Sequence, residues 1–268
     1  DVYKRQIYLL FLMPFVYFAT ACFVVWLVKT SGIYPSGSDT MYHVYRGDYV
    51  YNAIKSGNWY PLYDPAWYNG VEILRYWSPF PAYVMAFCQY LAGGSQFGAY
   101  LFYIGGVCFL GACVWPFIGR GFNRPYLGAF IGLLWFFMPN NLCAIFIEGN
   151  LARSLSMIFL PVFIYSVYKY LYNHKLRYIP LMVFTFLLME LCHLGYAGMV
   201  AIAVIIYGIV YMIQKGRKKA VLDVVISMIF GFMLLGIWLV ASLRGGITSL
   251  DNSENMANFF QNLWITIN

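Results

Sequence analysis

The chain has 268 residues, of which 62% are hydrophobic and only 10% charged, against roughly 45–50% and 25% in soluble domains. Its net charge of +7 does not signal a nucleic-acid partner, because the basic residues fall in short loops between apolar runs. Recurrent apolar runs of about 20 residues can each cross the ~30 Å hydrocarbon layer as a helix. The expected fold class is therefore all-α: a polytopic transmembrane helical bundle of about seven spans.

Residues 1–6, DVYKRQ, read as the translated end of a transposon adapter used in sequencing libraries. They are set aside from the fold, and residues 7–268 are read as a fragment forming one transmembrane domain; codons unlike the adapter would sink that reading. Residues 7–28 form the first expected span. Residues 29–95 are expected to be an extracytoplasmic loop plus an interfacial helix. In the polar part, Ser38 or Asp39 is placed to cap a helix running to about Lys55 and stopped by Gly57. Residues 79–91 are apolar but too short to cross, so they are read as the interfacial helix. Further spans are expected at 96–118, 126–147 and 154–172. The long run 179–213 is read as two short spans turned at Glu190, His193 and Gly195, and the last span is 221–242. Cys22, Cys88, Cys108, Cys113, Cys143 and Cys192 sit singly in apolar segments, with neither metal nor disulfide spacing.

Loop charge orients this arrangement. With residues 79–91 lying in the interface, the loops at 119–125, 169–178 and 214–220 share one side and carry nine Lys/Arg. The opposite side carries six on much longer loops, with eight of the ten acidic residues. Counting 79–91 as a crossing would put Arg120 and Arg124 opposite the Lys215–Lys219 cluster. The positive-inside rule favours the first topology and places the loop outside the cytoplasm.

The longest polar interval is the place to look for chemistry. Asp39, His43 and Arg46 follow an i, i+4, i+7 spacing and share one helix face, with Tyr42, Tyr45 and Tyr49 on the adjacent one. Asp39 is either a helix cap or a general base and cation ligand, and the two roles are compatible. Glu148 and Arg153, in EGNLARS, are either a local ion pair or a metal ligand with a phosphate-holding guanidinium. Glu190 and His193 are i, i+3 neighbours at a hairpin turn, where an ionisable residue near membrane depth suggests function. His43, Arg46 and Arg75 complete the substrate-binding candidates. The Tyr and Trp density fits a membrane-interface belt and also fits sugar stacking.

The G-x-D-x-x-x-H segment around Asp39, the stretch SGNWYPLYDPAWYNGVEILRYWSPFPAYVMAF, and the segments EGNLARSLSMIFLPVFIY and CHLGYAGM together resemble bacterial class C (GT-C type) glycosyltransferase-like membrane proteins. Within these, they look most like the 6-pyruvoyl-tetrahydropterin synthase-related membrane domain family, whose name implies no pterin chemistry here. The resemblance implies a sugar moved from a polyprenyl-phosphate-linked donor to an acceptor on the extracytoplasmic side of the cytoplasmic membrane. It puts catalysis on Asp39 with Glu148 as partner. A divalent cation, Mg or Mn, on Asp39 and Glu148 is the possible cofactor. The lone Glu148 departs from the acidic pair of related enzymes and puts metal dependence in doubt. The alternatives are a transporter or flippase for a lipid-linked glycan, and a non-catalytic membrane scaffold.

Overall fold

The computed structural model describes residues 2–35, 37–67 and 70–244, without the side chains of residues 2–10, 76, 241, 243 and 244. The adapter reading of residues 1–6 thus concerns side chains outside the described set. The described residues are helices and turns, with a single isolated antiparallel bridge between Asp64 and Val71.

Apolar runs build the frame. Helix α1 is Val2–Ser31, α5 is Gln96–Gly121, α8 is Leu151–Asn173, α10 is Leu194–Lys215 and α11 is Lys218–Arg244. With the stretch Pro125–Ile147, these supply six segments long and apolar enough to cross a membrane. Helix α9, Tyr178–Cys192, has 15 residues and rises only about 22 Å. The two short spans expected over 179–213 are therefore unequal. α9 is short, whereas α10 runs 22 residues, about 33 Å, and is of full crossing length.

The stretch expected as one helix at 126–147 is broken into three. α6 covers Pro125–Trp135, α7 covers Pro139–Leu142, and a π-helical turn covers Cys143–Ile147. Pro139 is the cause. It lacks an N–H and forces the preceding Met138 into extended backbone, ψ 123°. The π turn closes with the Glu148 N–H bonded to the Cys143 carbonyl at 2.8 Å, five residues back. Its wider winding sets where Glu148 emerges.

Between α1 and α5 lie α2 (Thr40–Lys55), α3 (Ile73–Tyr76) and α4 (Phe80–Leu91). α2 starts and stops within a residue of expectation, and Gly57 supplies the positive φ of 87° that ends it. These elements pack on a small core of Val50, Ile73, Leu74, Ala82 and Ala86. Two larger apolar clusters hold the bundle, one around Tyr17, Tyr103, Ile104 and Ala112, the other around Phe163, Met182 and Val224. Two buried tyrosine hydroxyls are satisfied across helices: Tyr17 donates to the Ala129 carbonyl and Tyr103 to the Leu151 carbonyl, both at 2.8 Å.

Short connections make successive helices antiparallel. The α2–α4 region, the 148–150 turn, the α9–α10 turn and the end of α11 consequently meet at one end of the bundle. The turns at 122–124, 174–177 and 216–217 collect at the other. The frame is thus built to converge four separate segments on one place.

Candidate functional site

At that end lies a cavity of about 490 Å³, within the range of small-molecule sites. Asp39, Tyr42, His43 and Arg46 line it from α2, Trp67, Trp77 and Ser78 from the loop, and Asn150, Cys192, His193 and Trp238 from later segments.

Asp39 occupies the N-cap position of α2, but its carboxylate makes no cap hydrogen bond. Its Oδ1 instead lies 3.0 Å from Ser38 Oγ. The Asp39 backbone N–H donates to the Glu148 carbonyl at 3.1 Å, and Ser38 Oγ lies 3.2 Å from that same oxygen. Two glycines permit this approach. A Cβ on Gly149 would sit 2.2 Å from Thr40 Oγ1, and one on Gly37 would sit 2.6 Å from Gly149 Cα. Gly149 also takes φ +69°, a conformation that glycine adopts freely. The loop before α2 is thereby clamped to the turn before α8.

Arg46 is 1% exposed, the largest side chain among the fully buried ones. Its Nη2 reaches the Trp77 and Ser78 carbonyls at 3.3 and 3.5 Å. Its guanidinium lies over the rings of Tyr42 and Trp77, 5.3 and 5.7 Å from their centroids. Nε has no hydrogen-bond partner, and the ion pairs among the described residues join other groups. Burial pulls the Arg46 guanidinium below its ordinary value, yet an arginine so far up the scale stays charged. A buried cation without a counter-ion is costly, so this cavity holds unspent positive charge.

Burial favours the neutral form of both cavity histidines, His43 and His193. Burial first, then the Arg46 charge and His193, push His43 down to about 3. Burial also lowers His193. His193 takes extended backbone and caps α10, its Nδ1 accepting the Tyr196 N–H at 3.0 Å. The proton of the neutral ring therefore sits on Nε2. Nε2 lies 3.4 Å from Asn150 Nδ2, another donor, because Asn150 Oδ1 already accepts the Arg153 N–H in capping α8. The Nε2–H is left to offer its hydrogen to the cavity.

Aromatic walls complete the site. Trp67 packs edge-on to Tyr42 and Tyr45, with centroids 4.6 and 4.9 Å apart, and Trp77 packs against Tyr42 at 5.0 Å. Ser78 Oγ donates to the Glu190 carbonyl at 2.8 Å, and Trp238 Nε1 donates to the Leu74 carbonyl at 2.7 Å. These bonds tie the loop to α9 and α11.

Of the residues expected at the site, the structure gathers Asp39, His43, Arg46 and His193 on the cavity. Glu148 and Arg153 stand behind Asp39 as an ion pair at 2.7 Å, with Cys143 Sγ 3.3 Å from the other Glu148 oxygen. Arg153 holds the Glu148 carboxyl below its ordinary range. Arg75 is elsewhere, paired with Glu72. The Glu190 side chain faces an apolar groove instead of the cavity. Sequence reasoning missed Trp67, Trp77, Ser78, Asn150 and Trp238. Asn150 carried a legible signal, an Asn directly before a helix, whereas Trp238 inside an apolar run carried none.

A divalent cation on Asp39 and Glu148 does not fit this arrangement. The Glu148 carboxylate is spent on Arg153, and no three His, Cys, Asp or Glu among the described residues group as ligands.

Fold and site define a multi-pass helical membrane protein with a polar cavity at one end of its bundle. A family model described as 6-pyruvoyl-tetrahydropterin synthase related domain, membrane protein, matches residues 74–268, and the chain belongs to that family. No curated protein and no solved structure matches it. The match begins at Leu74. It therefore takes in the cavity residues Trp77, Ser78, Asn150, Cys192, His193 and Trp238, while Asp39, Tyr42, His43, Arg46 and Trp67 lie before it.

Proposed function

We propose that this chain is a membrane glycosyltransferase. It moves a sugar from a polyprenyl-phosphate-linked donor to an acceptor on the extracytoplasmic side of the cytoplasmic membrane. The observation that carries the reading is the buried, counter-ion-free Arg46 in the same cavity as the Asp39 carboxylate. The seven helix steps between them span about 10.5 Å along α2, so a phosphate and an acceptor hydroxyl can be held at opposite ends of one sugar. Nine Lys/Arg on the short loops at the far end support the orientation.

In this reading Arg46 holds the donor phosphate, and the His193 Nε2–H donates to it or to a sugar hydroxyl. The faces of Trp67 and Trp77 take the sugar's CH groups. Asp39 accepts the proton of the acceptor hydroxyl as its oxygen bonds to the anomeric carbon. The carbon–oxygen bond to phosphate breaks, and its electron pair leaves with the lipid phosphate. Glu148 is a positioning residue, holding the Asp39 backbone through its carbonyl while its carboxylate orders Arg153.

The test is transfer by the purified chain in lipid nanodiscs, offered a panel of polyprenyl-phosphate sugars. Wild type is expected to consume at least one donor. Asp39→Asn is expected to lose about 10²–10⁴-fold in rate with an unchanged melting midpoint, since the carboxylate makes no cap bond. Wild-type turnover in Asp39→Asn removes the catalytic assignment. Movement of a lipid-linked glycan across vesicles without product supports the transporter reading instead.

A further inference from the structure

Two side chains on the cavity wall meet donor to donor. Asn150 is the N-cap of α8 and His193 the N-cap of α10. Each spends its acceptor atom on that cap: Asn150 Oδ1 takes the Arg153 N–H at 2.9 Å, and His193 Nδ1 takes the Tyr196 N–H at 3.0 Å. What each has left is a donor, and the two, Asn150 Nδ2 and His193 Nε2, lie 3.4 Å apart. Neither can bond the other. An oxygen set beside both, at ordinary hydrogen-bond length, can accept from the pair. The surrounding field decides what kind of oxygen that is. The N-termini of α8, with 23 residues, and α10, with 22, both open here and bring the positive ends of two helix dipoles. Arg46 lines the same cavity, 1% exposed and with its Nε unpartnered. Asp39, the carboxylate on that wall, takes the Ser38 hydroxyl instead. A sugar hydroxyl gains little from this field, whereas a phosphoryl or carboxylate oxygen gains from each part of it.

We propose that Asn150 and His193 together seat one oxyanion of the cavity's ligand, a phosphoryl or carboxylate oxygen, which makes Asn150 a binding residue as well as a cap. The seat does not depend on the transferase reading, since a lipid-linked glycan carried by a transporter would meet the same two donors. It gives both caps a second use: the bond that starts each helix also aims the donor that remains. Turning the amide or the imidazole over would break a cap. The two N–H groups are therefore held in place before any ligand arrives, which lowers the cost of ordering them.

The experiment is titration calorimetry on the full chain in phosphatidylcholine nanodiscs at pH 7, with inorganic phosphate, glucuronate and glucose as probes. Wild type is expected to bind at least one of the two anions about tenfold more tightly than glucose. Asn150→Ser keeps a good cap acceptor on α8 and removes the amide donor without adding charge. Its melting midpoint is expected to stay near wild type while anion affinity falls about tenfold. The anion whose affinity falls further names the source: phosphate for a phosphoryl group, glucuronate for a sugar carboxylate. His193→Asn keeps a cap on α10 and removes the Nε2–H, and is expected to show the same loss; it makes the test should Asn150→Ser fail to fold. Asn150→Asp sets a carboxylate oxygen opposite His193 Nε2, and is expected to abolish anion binding with the midpoint unchanged or raised. Wild type that binds neither anion better than glucose overturns the proposal. So does wild-type anion affinity in Asn150→Ser and His193→Asn, which leaves the two donors to water. Anion binding that needs both residues, in a chain that transfers no sugar, keeps the seat and removes only the transferase reading.

Discussion

Arg46 is where stability and function are most directly opposed. Its charge is buried and uncompensated, so removing it relieves a desolvation cost while losing two long hydrogen bonds to carbonyls and the stacking of the guanidinium on Tyr42 and Trp77. Arg46→Met is expected to leave the melting midpoint in detergent unchanged or raised, by on the order of 1 kcal/mol. The same variant is expected to weaken binding of inorganic phosphate at least about tenfold. A substantially lowered midpoint would show that Arg46 is structural. The neighbouring His43 gives a pH signature. Its native value of about 3 lies below the ordinary 6.5, so between those limits the unfolded chain binds more protons than the native one. The stability it protects is complete above pH 6.5 and is lost as pH falls towards 3, at on the order of 1 kcal/mol per pH unit. Melting midpoints from pH 7 to 4 are expected to fall more steeply in wild type than in His43→Gln; parallel slopes would refute the assignment. Both groups owe their behaviour to burial around one cavity, which is why neither can be treated as a solvated loop charge.

At the level of elements, the clamp between the loop before α2 and the turn before α8 fixes Asp39, and it can be broken without touching the cavity. Gly149→Ala is strained twice, by its φ of +69° and by the clash with Thr40. Gly216 has nearly the same φ, +68°, with nothing near its would-be Cβ. Gly216→Ala thus measures the backbone term alone, about 1 kcal/mol, and Gly149→Ala is expected to cost about 1–3 kcal/mol more and to lower transfer. Equal midpoints in the two variants would show that the clamp yields freely. Sequence alone revealed much of this architecture. The crossing helices were legible because lipid demands long apolar runs, and α2 because its face repeats at i, i+4, i+7 and Gly57 ends it. The break at Met138 was written in Pro139 but masked by uniform hydropathy across 126–147. The site was legible on one side only. Asp39, His43 and Arg46 announce each other locally, whereas the Trp238 bond to Leu74 joins residues 164 apart. Nothing short-range encodes that pairing, nor which way Glu190 turns.

For the whole molecule, the proposed orientation predicts that a cysteine at position 58 reacts with a membrane-impermeant reagent added outside intact cells, and one at position 217 does not. The reverse pattern would invert the topology and move the cavity to the cytoplasm. The long-range bonds also bear on how the protein is made. Ser78 waits for Glu190, 112 residues later, and Leu74 waits for Trp238, 164 residues later. At ~5–20 residues synthesised per second, the second delay alone is roughly 10–30 s. During that time the segment carrying Asp39 and Arg46 has left the ribosome while its docking partners do not yet exist. Biogenesis therefore passes through a half-built stage in which the cavity-forming loop is open to proteases and quality-control factors, and it closes only when α11 inserts.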